Sequence, residues 1–205
     1  ELLLKRLQIV SEYNMNISGV EQVIHFYDAA MEESILREET IKNELARISS
    51  GINGEQFYLE FQPLLDLKTN KIRAFEALSR MRSVSLGQVS PIEFIPIAEE
   101  TKLIVPLGET IFRKAFLFLQ ELHRRGHNDV KVSVNVSAIQ LLKKGFVENL
   151  LHIIDEMEIN PASVGIEITE SVFSSRYQEI NKVLGELKQY AISVALDDFG
   201  TGYSS

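Results

Sequence analysis

The chain has 205 residues, 45% hydrophobic and 24% charged, an ordinary globular composition with room for one sizeable domain and an appendage. Its formal charge of −8 argues against a basic surface for a nucleic-acid polymer, so an anionic substrate needs a metal ion or a well-placed arginine to offset the field of the protein. Without cysteines there are no disulfides or thiolate zinc sites, no apolar run is long enough to span a bilayer, and the start ELLLKRLQIVSEYN lacks the order of a signal peptide, so a reducing cytoplasm is the expected location.

Residues 1–28 read as a helical segment followed by a short strand, VIHFYD, and are too few to form a domain. From Ala29 to Ile48 the spacing of Met31, Ile35, Ile41, Leu45 and Ile48 predicts a helix. Glu33 with Arg37 and Glu38 with Lys42 form four-apart pairs on its solvated face. SSGINGE breaks that helix and marks a domain boundary. QFYLEFQPLLDL is a strand, with Phe57, Leu59 and Phe61 on one face and Tyr58, Glu60 and Gln62 on the other. DLKTNK is a turn and IRAFEALSR the next strand. SPIEFIPIAEE opens a helix with Ser90 as cap, Pro91 at the first position and Glu93 closing a capping box, which gives Glu93 a structural role. GETIFRKAFLFLQELHRRG is a long amphipathic helix ending at Gly126. VKVSVNVS is a strand, and SAIQLLKKGFVENLLHIIDEME a helix capped by Ser137 and Gln140. ASVGIEITE, RYQEINKVLGELKQYA and ISVALDDFG then read as strand, helix and strand.

Strands alternating with helices predict a parallel sheet with crossover helices. An open doubly-wound sheet and a (β/α)8 TIM-like barrel both fit. The first strand is not followed by a glycine-rich dinucleotide loop, which favours the barrel.

Buried parallel strands are usually near-continuous apolar runs. Four strands here carry an oxygen donor near the C-terminal end instead: Glu76, Asn135, Glu167, and the pair Asp197 and Asp198. In a (β/α)8 barrel that end is the catalytic face. Carboxylates gathered there repel one another and are costly to desolvate, and a divalent cation resolves the conflict. Carboxylates and an amide oxygen, without His or Cys, favour Mg²⁺ or Mn²⁺ over zinc. The adjacent Asp197 and Asp198 allow a second ion, as in two-metal phosphoester hydrolysis. Taken singly, each polar residue could instead cap a helix or bind a loop amide.

FEALSR, SPIEFIPIAEETKLIVPLG, VSVNVS, GIEITES and VALDDFGTGYSS occur in the order and approximate spacing of the EAL domain. The chain resembles that family from about Phe57 to Ser205, and the motifs together are highly specific. The family comprises bacterial phosphodiesterases that hydrolyse cyclic di-GMP to linear pGpG. The resemblance implies a TIM-like barrel whose first strand runs antiparallel, a reversal the residue pattern does not reveal. It implies that Glu76, Asn135, Glu167 and Asp197 bind the first metal, that Asp198 helps hold a second, and that Glu170 steadies the loop over the site. It matches Arg80 to a substrate phosphate, and Leu78 of the EAL motif and Gln62 to the nucleotide. Residues 23–55 resemble the tail of a GGDEF domain and its joining helix, with the GGDEF signature itself absent. The implied organisation is a remnant of a preceding domain over 1–28, a helical linker over 29–55 and the EAL domain over 56–205, with a homodimer and an attached sensor or GGDEF-like domain as partners.

The family barrel continues through three more strands, which carry a lysine, a general-base glutamate and a glutamine. The chain is therefore expected to be C-terminally incomplete. Met81 stands where tryptophan is common in the family. The rival functions are an inactive cyclic di-GMP receptor and a purely structural dimerisation piece. His123 and His127 read as a basic helix end rather than a metal site, and DFG lacks the other kinase motifs.

Overall fold

The computed structural model describes residues 29–169 and 173–197. The readings placed on residues 1–28, on Glu170 and on Asp198 lie outside the described residues. Helix α1 (Ala29–Ser49) leads into strands β1 (Phe57–Asp66), β2 (Lys71–Ser83) and β3 (Gly87–Val89). Helices α2 (Pro91–Glu100) and α3 (Ile104–Arg124), strand β4 (Lys131–Asn135), and helices α4 (Ala138–Leu141) and α5 (Phe146–Glu156) follow. Strand β5 (Val164–Thr169), helix α6 (Phe173–Gln189) and strand β6 (Ser193–Asp197) complete the order.

The sheet runs β1-β2-β4-β5-β6, with the short β3 paired to β2. β1 is antiparallel to β2, while β2, β4, β5 and β6 are parallel. This is the expected TIM-like arrangement with a reversed first strand. Asp66 builds the β1–β2 turn by accepting hydrogen bonds from the backbone N–H groups of Lys68 and Thr69 at 2.8 and 3.0 Å.

Alternation sorts each strand into two faces. Phe57, Ala77, Val132, Val134, Ile166 and Ile168 are buried in a core shared with the helices. α3 supplies Leu107, Ile111, Ala115 and Leu119 from one stripe. Phe61 stacks on Phe118 with ring centroids 3.6 Å apart, and Phe75 meets the same ring edge-on at 5.2 Å. Met81 is fully buried in this core, so the thioether fills the space at that position. Among the described residues no helix is long and apolar enough to cross a membrane.

The structure corrects several local readings. α1 seats Ile41, Leu45 and Ile48 in the same core, and Arg37 reaches across to the Glu93 carboxylate with both Nε and Nη2. Glu93 is thus structural, but through an ion pair. Ser90 holds the cap position of α2 without a side-chain cap bond, and the Glu93 carboxylate that would close the box from the other side is engaged by Arg37. The helix expected from Ser137 to Glu158 is two helices, since Gly145 has φ 83° and turns the chain between them. The capping box of Ser137 and Gln140 is present on α4. β3 pairs back on β2, although its sequence Gly87–Gln88–Val89 is too short to carry a pattern.

Candidate metal centre

The register explains how the acids meet. Glu76 lies beside Ser133, Asn135 beside Glu167, and Thr169 beside Asp197. From β2 to β6 the donors therefore climb two residues, none and two over three strand steps. That is close to the one-residue-per-strand stagger of a TIM barrel, so the climb places the donors at one height along the barrel axis. In a flat sheet β2 and β6 would stand roughly 14 Å apart. Yet Glu76, Glu167 and Asp197 each offer an oxygen within 4.8 Å of the others. The sheet must curl around them, with these side chains on its concave side.

Two hydrogen bonds fix the set. Asn135 Nδ2 donates to Glu76 Oε1 at 2.7 Å, leaving the amide oxygen available. Ser133 Oγ donates to Glu167 Oε1 at 2.5 Å. The backbone N–H of Val136 donates to the Glu167 carbonyl at 2.8 Å, which ties the end of β4 to β5. Beneath the acids the barrel is tight: a Cβ on Gly165 would meet Ser133 Cβ at 3.1 Å and Ser193 Oγ at 3.2 Å.

Burial holds the Glu167 carboxyl above the usual carboxylate range, and the charges of Glu76 and Asp197 add to the rise, while the Ser133 hydrogen bond opposes it. Three converging carboxylates with an amide oxygen beside them form an acidic cluster suited to a hard divalent ion. The cluster opens into a cavity of about 650 Å³. Leu78 and Arg80 line it from β2, and Phe94, Ile95 and Leu107 from the helices.

The family model of the EAL domain matches residues 45–205. This chain belongs to the EAL domain family. The cyclic di-GMP phosphodiesterase PA2567 of Pseudomonas aeruginosa is 35% identical over 162 residues, covering 78% of this chain and 27% of that protein. The signaling protein YkoW of Bacillus subtilis is 34% identical over 174 residues, covering 84% of this chain and 22% of its own length. The solved structure of the PaMucR phosphodiesterase in its c-di-GMP complex superposes with a TM-score of 0.74 at 29% identity, covering 80% of this chain and 66% of that one. The chain spans about a quarter of the length of the first curated relatives it matches.

Within the EAL domain, Glu76, Asn135, Glu167 and Asp197 all line the cavity. Arg80 is held by Glu60, with Nε donating at 2.7 Å, and by the carbonyl of Ser79, which accepts from Nη1 at 3.0 Å. Gln62 is outside the cavity lining; it faces Glu76 across the β1–β2 ladder and is exposed. His123 Nε2 lies 3.3 Å from the carbonyl of Val130, at the end of α3 and away from the acids. Ser133, two residues before Asn135 and on the same face of β4, is a site residue outside the set expected from the sequence. The alternation Ser133, Asn135 was its only signal.

Proposed function

We propose that this EAL domain hydrolyses cyclic di-GMP to linear pGpG in bacterial second-messenger signalling. The observation that carries the reading is the convergence of Glu76, Glu167 and Asp197 from three strands, with Asn135 hydrogen-bonded beside them. The relatives named as cyclic di-GMP phosphodiesterases, and the PaMucR complex, support it.

In this reading Glu76, Asn135, Glu167 and Asp197 hold a Mg²⁺ or Mn²⁺ ion, and Asp198 helps hold a second. The bound ion supplies Lewis acidity toward the phosphodiester and a lowered pKa for water. The protein's own groups bind and orient the substrate. Arg80 turns from Glu60 to a phosphate oxygen. The exchange is inexpensive, because an exposed pair of this kind contributes roughly 0.2–1 kcal/mol. Leu78 packs against the nucleotide, Gln62 offers its amide to it, and Glu170 steadies the loop above. Hydrolysis adds water across one P–O3′ bond, leaving a 5′-phosphate on one end and a 3′-hydroxyl on the other.

The organisation proposed with this function has a remnant of a preceding GGDEF-like domain over 1–28, a linker over 29–55 and the EAL domain over 56–205. α1, docked through Ile41, Leu45 and Ile48, then forms the junction. A homodimer, an attached sensor and a cytoplasmic location belong to the same reading.

The test is chromatography of cyclic di-GMP after incubation with the protein and Mg²⁺, alongside Glu76→Ala. Appearance of pGpG with wild type and its loss in the variant supports the enzyme. Binding of cyclic di-GMP without product supports the rival reading, an inactive receptor module.

A further inference from the structure

The helical wall of the cavity is apolar apart from a few polar groups, and among the described residues it holds one charged side chain, Glu99. Pro91, Ile95 and Glu99 are spaced four apart on α2, so they form one stripe, and all three line the cavity. Phe94, Ile104 and Leu107 back this stripe, each almost wholly buried. Glu99 is half-buried, and burial alone raises its carboxyl above the usual range: no neighbouring charge or hydrogen bond among the described residues acts on it. It also stands apart from the group formed by Glu76, Glu167 and Asp197.

A carboxylate left half-buried without a partner is costly, so its place on this wall calls for a ligand that supplies one. An ionised carboxylate accepts hydrogen bonds and donates none. It repels phosphate, which rules out the charged part of a cyclic dinucleotide as its partner. The complementary group is a pair of adjacent N–H donors on a flat apolar ring. The Watson–Crick edge of guanine presents such a pair, N1–H and the exocyclic 2-amino group. Adenine offers a bare N1 acceptor there and lacks the 2-amino group. The faces of a purine suit the apolar side chains of Pro91 and Ile95, which are only partly buried beside Glu99.

Building on the cyclic di-GMP reading, we propose that Glu99 is a specificity-determining residue that reads a guanine base of the substrate, its two oxygens accepting from N1–H and from the 2-amino group. Charge-assisted bonds of this type make the contact both strong and selective. A site built to pair an N–H group rejects the analogue that lacks it, because its own polar atom is then left unsatisfied.

The experiment is isothermal titration of wild type, Glu99→Gln and Glu99→Ala with cyclic di-GMP, cyclic di-IMP and cyclic di-AMP. Cyclic di-IMP keeps N1–H and lacks the 2-amino group. Glu100→Gln, at the neighbouring exposed position, is the control. Wild type is expected to bind the three in the order guanine, hypoxanthine, adenine. Both Glu99 variants should weaken cyclic di-GMP on the order of 10- to 100-fold, the range of one charge-assisted hydrogen bond. They should leave cyclic di-AMP unchanged or tighter, so that discrimination collapses. An equal loss for all three ligands marks a purely structural residue and overturns the proposal, as does wild-type discrimination in both variants. Those two results leave the parent reading standing, because cyclic di-GMP still binds wild type. Failure of wild type to bind cyclic di-GMP overturns both.

Discussion

Gly108, in the first half of α3, is the position where a single methyl group should be felt furthest. A Cβ there would sit 2.1 Å from Gln140 Nε2 and 3.3 Å from its Cδ. Gln140 has little room to retreat, being only 5% exposed. Its Oε1 accepts from the backbone N–H of Ser137 at 3.1 Å, and its own N–H donates to Ser137 Oγ at 3.3 Å. Gly108→Ala therefore expels the carboxamide and breaks the box that starts α4. Losing such a cap costs about 0.5–2 kcal/mol, and a displaced buried amide about 1–3 kcal/mol more. Alanine returns about 1 kcal/mol of helix propensity. The net expectation is a loss of about 2 kcal/mol, or about 4–8 °C in Tm for a chain of this length. Gly185 in α6 is the internal control, since a Cβ there meets nothing within 4 Å. Gly185→Ala should stabilise by about 0.5–1 kcal/mol. Thermal melts of both variants, and of Gly108→Ala combined with Gln140→Ala, read the difference. The combined variant should lose less than the sum of its parts, because the clash is shared. A Gly108→Ala protein that melts at or above wild type refutes the reasoning.

Ser133→Ala removes the donor that holds Glu167, and should weaken divalent-ion affinity about 10-fold or more without unfolding the chain; Mn²⁺ titration measures it, and unchanged affinity contradicts the role. Arg37→Ala breaks the fork to Glu93, and because both side chains are about a third exposed the loss of stability should stay at or below about 1 kcal/mol and shrink with salt. Asp66 is held below the usual carboxylate range first by the N–H of Thr69 and then by that of Lys68. A depressed acid stabilises the fold at pH values above its unfolded pKa, and the contribution disappears as pH falls through the folded pKa. The stability gap between wild type and Asp66→Ala, followed by urea unfolding, should therefore narrow on acidification; a gap that stays constant from neutral pH to about pH 3 counts against it.

Much of the fold was legible because its elements carry strong periodicity. Met31, Ile41, Leu45 and Ile48 spell α1, and the valines of β4 alternate with Ser133 and Asn135. The reversal of β1 was not legible from the pattern of Phe57 to Gln62, because a strand alternates with period two in either direction. The resemblance to the family supplied it. The break at Gly145 was hidden by Leu142, Phe146 and Leu150, which keep four-residue spacing across the turn. At the site, the donors Glu76, Asn135, Glu167 and Asp197 stood out because acids and amides interrupt apolar strands. Partnerships between distant segments did not: nothing local to Glu93 points to Arg37, 56 residues earlier. Nor does the run Ala98, Glu99, Glu100 say which acid faces a cavity; only the rotation of α2 decides it.

The central claim is that the acids of β2, β5 and β6 converge to hold a divalent ion. Electron paramagnetic resonance of Mn²⁺ titrated into wild type and into the variant Glu76→Gln, Glu167→Gln, Asp197→Asn tests it most directly. Wild type should bind at least one ion tightly, and the variant, still folded by its melting curve, should lose that site. Undiminished Mn²⁺ binding in the folded variant would contradict the account.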